Sequence, residues 1–324
     1  GMCGQICPLH INTGDLVRRL RAEQANRVLD RAWAAAAKAW GPFTSAASVA
    51  LTTAKAVAPV TTGITKLGRK VVGTDVLPLY SADLPRGGKR PEARPASNPV
   101  AVYLPACIQT MFAGGVSAAF RTLCERAGVE IATLDSSGLC CGTPWKSKGF
   151  LTGYRTIMRR AERRLDDPLP VIVDAASCTE GYQVMQSKSA DAEFNGLRFV
   201  DAVQFAYDEL LPKLTVTHRL TSIALHPTCS STQLGLNPAL VGLASAIADE
   251  AYVPLDWGCC AFAGDRGMLH PELTASATRR EAAEVTSRSF GAYASLNRTC
   301  EIGMSRATGK DYRHILELVE SATR

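Results

Sequence analysis

The chain has 324 residues, enough for about two domains with cores of their own, and its 46% hydrophobic and 20% charged content is that of a globular protein. The net charge of +6 comes from scattered basic residues, and no basic arm interleaved with aromatic side chains is present, so nucleic acid is not predicted as a partner. The densest basic cluster is interpreted as a solvated helix face; it comprises Arg159, Arg160, Arg163 and Arg164.

The cysteine content points to a reducing compartment. Eleven cysteines are an odd number, no secretory signal peptide is recognised, and a chain of this size needs no disulfide framework. The thiols are therefore predicted to be reduced in the cytoplasm or bound to metal. Residues 43–64 carry one charge, at Lys55, but Pro59 and Gly63 interrupt them, so packed helices are predicted rather than a transmembrane span.

Residues 1–82 are predicted to be helical, with a first helix that stops at Gly41-Pro42. The segment opens with Cys3 and Cys7 in the spacing Cys-x3-Cys-Pro, which is the end of the ferredoxin motif C-x2-C-x2-C-x3-C-P. Two interpretations stay open. The two cysteines are either part of an incomplete ferredoxin-type site, whose other cysteines would precede this sequence, or ordinary cysteines near a frayed terminus.

Residues 83–99 are rich in Pro, Gly, Arg and Lys and are predicted to form a linker or strap.

Two repeats follow, over residues 100–217 and 218–324. Each contains an adjacent cysteine pair flanked by a lone cysteine on either side, as C-x32-CC-x36-C and C-x29-CC-x39-C. Corresponding cysteines are offset by 122, 119, 119 and 122 residues, which indicates an internal duplication. The two sets are Cys107, Cys140, Cys141 and Cys178, and Cys229, Cys259, Cys260 and Cys300.

Both repeats alternate short apolar strands with helices. The predicted strands cover 100–104, 129–134, 171–174 and 198–200 in the first repeat, and 222–225, 252–255 and about 292–296 in the second. This order predicts an α/β fold of two duplicated, Rossmann-like parallel-sheet units with a pseudo-two-fold relation, preceded by an all-helical segment.

Every cysteine of the two sets follows a predicted strand, so each set should converge at the carboxyl edge of its sheet. Four thiolates at one place repel each other unless a cation holds them, and thiolates select zinc or iron–sulfur clusters. Zinc sites usually bring ligands in C-x2-C pairs, whereas directly adjacent cysteines suit a cluster of several irons better. The alternative is that the pairs are buried small hydrophobic residues or vicinal disulfides.

Two further residues are interpreted separately. Cys124 is predicted to be core, and His226, three residues before Cys229, to support or pack against the site.

With these motifs the chain resembles the cysteine-rich CCG family. That family includes the B subunit of heterodisulfide reductase, the iron–sulfur subunit of glycolate oxidase and the C-terminal part of FAD-linked D-lactate dehydrogenases. The last group is the most similar, because the stretches from Cys3 to Leu16 and from Cys300 to His314 also match it.

The resemblance implies an iron–sulfur electron-transfer module in the cytoplasm. It is also compatible with peripheral association of the module with the inner face of the membrane. An FAD-containing domain or subunit would oxidise a D-2-hydroxy acid, and the electrons would pass to a quinone or cytochrome-type acceptor. The chain has no dinucleotide-binding fingerprint, so FAD is expected only on that other domain, and no residue here is assigned a catalytic role.

Three positions depart from the family pattern. Gly181 and Gly303 stand where heterodisulfide reductase has a fifth cysteine, which leaves four thiolates per repeat and favours a conventional [4Fe–4S] cluster. Ala261 follows the second pair where the motif has glycine. Two alternative functions remain. One is a thiol–disulfide or heterodisulfide reductase, and the other is a non-redox domain stabilised by structural zinc.

Overall fold

The computed structural model describes residues 2, 4, 7–9 and 11–323. The N-terminal segment is helical, as predicted. Its helices are α1 (Thr13–Glu23), α2 (Arg27–Lys38), α3 (Trp40–Ala56) and α4 (Ala58–Val72). The predicted stop at Gly41-Pro42 is wrong, because Pro42 lies in the first turn of α3, where backbone N–H groups have no helical acceptor in any case.

The first repeat forms a four-stranded parallel sheet with strand order β2-β1-β3-β4. The predicted strands are all present, although the region predicted as one helix from 108 to 127 is divided near Gly114-Gly115. The elements are β1 (Ala101–Leu104), α5 (Cys107–Met111), α6 (Val116–Arg126), β2 (Ile131–Thr133), α7 (Thr143–Lys148), α8 (Leu151–Arg164), β3 (Val171–Val173), α9 (Ala176–Gln186), α10 (Ala192–Gly196), β4 (Phe199–Asp201) and α11 (Ala202–Phe205).

The second repeat forms a second four-stranded parallel sheet with the equivalent order, β6-β5-β7-β8. A π-helical turn (Ala206–Leu210) and a 3-10 turn (Leu211–Lys213) lead into it. The elements are β5 (Leu220–Leu225), α12 (Cys229–Gln233), α13 (Asn237–Ile247), β6 (Ala248–Tyr252), α14 (Arg266–Leu269), α15 (Pro271–Thr286), β7 (Ala292–Ser295), α16 (Arg298–Thr308), β8 (Tyr312–His314) and α17 (Ile315–Ala322).

Strand β6 lies before the predicted strand at 252–255, and the sequence pattern did not predict β8. The residues of β6 are Ala-Asp-Glu-Ala-Tyr, a composition with low strand propensity. Pairing with β5, which sets Leu220 opposite Ala248 and Ala224 opposite Tyr252, determines their conformation. The predicted α/β architecture of two parallel sheets behind a helical segment is nevertheless confirmed.

Residues 83–99 form a packed strap. Leu84 is buried, and Arg94 makes an antiparallel bridge to Thr133 with N···O distances of 3.0 and 2.8 Å. The strap therefore connects the helical segment to the first sheet through direct contacts with both.

The two sheets share one hydrophobic core, formed by helices that pack between them. Phe120 and Leu123 of α6 belong to the same buried cluster as Leu240 of α13 and Leu316 of α17. Because α6 also packs directly against α17, the two repeats are parts of one packed body.

Candidate metal centres

All eight cysteines of the two sets lie at the carboxyl ends of strands. Cys107 is the first residue of α5, after β1, and Cys178 is the third residue of α9, after β3. Cys229 and Cys300 occupy the same positions at the starts of α12 and α16. The adjacent pairs follow β2 and β6 in loops. We call the first set centre 1 and the second set centre 2.

In centre 1 the thiols form two pairs, which a hydrogen bond between Cys140 and Cys141 links to each other. The Sγ atoms of Cys107 and Cys140 are 3.7 Å apart, and the thiols of Cys141 and Cys178 share a hydrogen bond. Cys140, Cys141 and Cys178 are buried, and Cys107 is half-buried. The Cys141 thiol also contacts the hydroxyl of Thr143 at 3.2 Å. The four predicted ligands are therefore together, although no three of their Sγ atoms lie within 4.8 Å of one another.

Centre 2 repeats this pairing. The Sγ atoms of Cys260 and Cys300 are 3.2 Å apart, and the thiols of Cys229 and Cys259 share a hydrogen bond. Cys260 and Cys300 are buried, whereas Cys259 is exposed to solvent. All ten described cysteines carry free thiols, so the vicinal disulfides considered from the sequence are not formed here.

The thiols of each centre cannot all ionise without a cation. Hydrogen bonds from Cys140 and Cys178 lower the pKa of Cys141. The pKa of Cys140 is raised by its hydrogen bonds with Cys107 and Cys141 and by burial, and that of Cys178 by its hydrogen bond with Cys141 and by burial. In centre 2 the hydrogen bond from Cys300 lowers the pKa of Cys260 in the same way. A bound metal would supply the missing positive charge and allow the remaining thiols to ionise.

Helix α9 approaches the first cysteine pair very closely. A Cβ atom at Gly181 would lie 2.8 Å from Cβ and 2.9 Å from Sγ of Cys141. A Cβ atom at Gly303, the equivalent position on α16, would meet Cys260 at 3.5 Å, which is ordinary contact. The glycine at 181 is therefore required by packing, and a fifth cysteine there would not fit without displacing the pair.

Ala261, in the loop of centre 2, has the same left-handed backbone conformation as Gly142 in centre 1. Gly142, after the first pair, has φ +76°, and Ala261, after the second pair, has φ +53°. Alanine in this left-handed region costs about 1 kcal/mol relative to glycine. The substitution therefore strains the loop but does not change its course.

Each centre has one buried polar atom without a partner. In centre 1 it is the hydroxyl of Tyr154, whose pKa is raised to about 12 by burial and by the Cys141 thiolate. In centre 2 it is Nε2 of His226, which is completely buried. Both atoms lie beside the cysteines, where the tyrosine hydroxyl could donate to an inorganic sulfide and the imidazole nitrogen could bind a metal.

His226 contributes more to centre 2 than the sequence indicates. Its Nδ1 lies 2.7 Å from Oε1 of the buried Glu281, and one ring nitrogen lies within 4.8 Å of Sγ of both Cys260 and Cys300. Burial by itself lowers the pKa of His226, but Cys260 and Glu281 together raise it to about 10. His226 therefore interacts with both the Cys260 thiol and the Glu281 carboxylate.

The two centres lie side by side across the junction between the repeats. Asn297 accepts hydrogen bonds from the backbone N–H and the hydroxyl of Ser177, both at 3.1 Å, and donates to the hydroxyl of Thr228 at 3.3 Å. The hydroxyl of Ser230 donates to Glu180 at 2.7 Å. Each of these five residues lies within three positions of a lone cysteine of one centre or the other.

Sequence reasoning missed the role of two arginines. Arg160 donates to the backbone oxygens of Ala37, Lys38 and Gly138, and Arg164 donates to the backbone oxygen and carboxylate of Asp135. The interpretation of this cluster as a solvated face is therefore wrong for Arg160, which is half-buried, whereas Arg159, Arg163 and Arg164 are exposed as predicted. Only their position on the helix after the cysteine pair could have indicated the contact.

The remaining sequence candidates do not join a centre. Cys124 is buried in the core, as predicted, and burial raises the pKa of its thiol to about 12. Cys7 is half-buried, and Cys3 lies outside the described residues, so their ferredoxin-type site stays a prediction.

The described cysteines and the group of His226, Cys260 and Cys300 could hold metal. No protein-family model matches the chain, and no significant match is found among curated proteins. Within the described part of the chain, every helix is too short or too polar to cross a lipid bilayer.

Proposed function

We propose that the chain is an iron–sulfur electron-transfer module of an FAD-linked D-2-hydroxyacid dehydrogenase. The observation that carries the proposal is the placement of two four-cysteine centres next to each other, joined by the Asn297 bridge to Ser177 and Thr228. A purely structural metal site has no need of a second site beside it, whereas electron transfer requires centres that are close together and rigidly held.

The arrangement of the thiols favours a cluster over a single ion. Four sulfurs around one zinc at about 2.3 Å would lie about 3.8 Å from each other. In centre 1 the paired thiols come that close, but no third sulfur lies within 4.8 Å of both members of any pair. The pairing therefore does not match one ion held by all four thiolates. A [4Fe–4S] cluster takes one thiolate per iron, so the four cysteines of each centre match it in number, and its binding would move the paired thiols apart.

The chain's own residues hold, bury and tune these sites. Cys107, Cys140, Cys141 and Cys178 would hold one cluster, and Cys229, Cys259, Cys260 and Cys300 the other. A cluster bound there would supply one-electron redox chemistry. Cys178 and Cys300 lie in the first turns of helices α9 and α16, where the helix dipole favours negative charge, and the burial of most of the cysteines would also tune the sites.

The partners belong to the same proposal. Electrons would come from the flavin of an FAD-containing domain or subunit and leave to a quinone or cytochrome-type acceptor. We place the module in the cytoplasm, with peripheral association at the inner face of the membrane if the acceptor is a quinone. The sequence contains no acid–base constellation for hydroxy-acid oxidation, so the chain is not proposed to carry out that step.

Anaerobic reconstitution with iron and sulfide tests the cofactor. We expect about eight irons and eight sulfides per chain, as two [4Fe–4S] clusters require. Cys140→Ser with Cys141→Ser should halve both contents, as should the same changes at Cys259 and Cys260. Cys124→Ala, a change in the core, serves as the control and should leave both contents unchanged. A chain that takes up zinc but neither iron nor sulfide would refute the redox function.

Disulfide reductase activity is the rival function. At Cys140 and Cys141, where the sequence suggests it, this activity requires a thiol that a substrate can reach, yet both cysteines are buried and Gly181 occupies the position of the fifth cysteine. The reconstituted chain should therefore accept electrons from a chemical reductant without reducing disulfide substrates. Turnover of a disulfide by the chain would favour the rival.

A further inference from the structure

Centre 2 differs from centre 1 at one buried position. His226 precedes Cys229 by three residues, and the equivalent position before Cys107 is Leu104, a buried strand residue. An imidazole completely removed from water must satisfy both ring nitrogens or leave one unpaired at a cost. Here Nδ1 is paired with Glu281, Nε2 has no nitrogen or oxygen partner among the described residues, and the other interaction of the ring is with the Cys260 thiol.

Glu281 fixes the orientation of the ring. This carboxylate is itself buried on α15, with Oε1 at 2.7 Å from Nδ1 and Oε2 accepting a hydrogen bond from the N–H of Gly258 at 3.4 Å. Gly258 directly precedes the second cysteine pair. Metal-binding histidines almost always donate their other ring N–H to such a carboxylate, which fixes the tautomer and leaves a lone pair for the metal.

His226 belongs to a compact group of three ligand-bearing residues in the described part of the chain. One ring nitrogen of His226 and the Sγ atoms of Cys260 and Cys300 all lie within 4.8 Å of one another, and all three residues are buried. Cys259, by contrast, is exposed and pairs with Cys229. Histidine is thus better placed than Cys259 to complete a buried ligand set with Cys260 and Cys300.

We propose that His226 binds the metal of centre 2 through Nε2 in place of the exposed Cys259, so that the ligands of centre 2 are His226, Cys229, Cys260 and Cys300, while centre 1 has thiolates alone. The inference rests on the proposed function, because the bound metal is taken to be an iron–sulfur cluster. A neutral imidazole in place of a thiolate makes a cluster less negative, and histidine ligation raises the reduction potential. Centre 2 would then have the higher potential of the two and receive electrons from centre 1.

Hyperfine spectroscopy on the full chain tests the ligation. The chain is reconstituted with iron and sulfide, with Cys140→Ser and Cys141→Ser present to remove the signal of centre 1, and is then reduced and examined by pulsed EPR. We expect a directly bound nitrogen whose coupling changes when histidine is labelled with ¹⁵N. The labelling needs no substitution at His226, so the result does not depend on the folding of a His226 variant.

Variants assign the nitrogen to one residue. His226→Cys should retain the iron of centre 2, lose the nitrogen coupling and lower the potential of the centre. His218→Gln, at an exposed histidine, is the control and should leave the coupling intact. A reduced cluster in centre 2 without histidine nitrogen coupling would overturn the ligation and leave the electron-transfer function standing. A chain that binds no iron or sulfide at either centre would overturn both.

Discussion

Two glycines at equivalent positions have different roles in the two centres. From the sequence, Gly181 and Gly303 are the same departure from a five-cysteine motif. In the folded chain Gly181 touches Cys141, whereas Gly303 leaves ordinary room beside Cys260. The difference depends on how closely each helix approaches its cysteine loop, which local sequence does not specify.

Gly181→Ala should therefore be harmful and Gly303→Ala should be tolerated. The added methyl at 181 overlaps Cys141, so we expect a loss of about 1–3 kcal/mol in the free energy of unfolding and a lower iron content at centre 1. At 303 the methyl fits, and alanine favours the helix by about 1 kcal/mol. Denaturant unfolding and iron analysis of both variants measure the contrast; equal effects would contradict it.

His314 makes stability depend on pH. It is buried, its Nδ1 accepts a hydrogen bond from the N–H of Leu316, and burial lowers its pKa from 6.5 to about 3. At neutral pH the residue is uncharged in both the folded and the unfolded chain. Below about pH 6.5 only the unfolded chain binds the proton, so the free energy of unfolding should fall as the pH drops toward 3.

His314→Asn should remove this part of the pH dependence. Asparagine can accept the same helix-capping hydrogen bond but does not titrate. Between pH 6.5 and pH 4, the free energy of unfolding of the wild type should fall by on the order of a few kcal/mol more than that of the variant. Denaturant unfolding at several pH values measures the difference between the two proteins. Parallel curves would show that His314 is not the responsible group.

At the scale of elements, the N-terminal helices form part of the wall of centre 1. Trp145 of α7 is fully buried, lies 4.6 Å from Trp40 of α3 between ring centroids, and donates its indole N–H to the backbone oxygen of Trp33 in α2 at 2.8 Å. The helical character of this segment was predictable from its periodicity. Its docking beside the cysteine loop was not, because a helix pattern indicates a buried face without indicating the partner.

Arg160 of α8 connects this wall to the loop before the cysteine pair. It donates to Ala37 and Lys38 at the C-terminal end of α2 and to Gly138, at distances from 2.8 to 3.0 Å. These hydrogen bonds satisfy carbonyl groups that a helix end and a loop otherwise leave to water.

Arg160→Ala should loosen the loop without unfolding the protein. We expect the free energy of unfolding to fall by about 1–2 kcal/mol, because water replaces part of each lost hydrogen bond. Amide exchange near Gly138 and loss of iron from centre 1 should both become faster. Arg163→Ala, at an exposed position on the same helix, is the matched control. Unchanged exchange at Gly138 in the Arg160 variant would contradict this role.

At the scale of the whole molecule, the shared core couples the two repeats. Phe120 is fully buried between Tyr103 at 5.0 Å and Phe205 at 6.0 Å, measured between ring centroids, in the cluster that also contains Leu240 and Leu316. The duplication predicted two similar units, and the strand order of both sheets agrees with it. The core that joins them involves residues far apart in the chain.

Phe120→Ala should destabilise both repeats together. Removing this ring leaves a cavity and should lower the free energy of unfolding by about 3–5 kcal/mol. Both centres should lose metal in the same unfolding transition. Fluorescence and cluster absorbance, followed through denaturant unfolding, should give coincident curves. Val28→Ala, at an exposed site, should be nearly neutral. Two separate transitions in the Phe120 variant would show that the repeats are independent.

The sequence by itself determined the two cysteine sets, their position after strands and the α/β architecture, because these follow from spacing, hydrophobic period and the convergence of parallel strand ends. Only the tertiary structure decided that each set divides into two thiol pairs, that His226 and Glu281 lie in centre 2, and that the centres adjoin. These features depend on contacts between residues more than thirty positions apart, such as those of Cys107 with Cys140 and of His226 with Glu281, which packing fixes and local pattern does not.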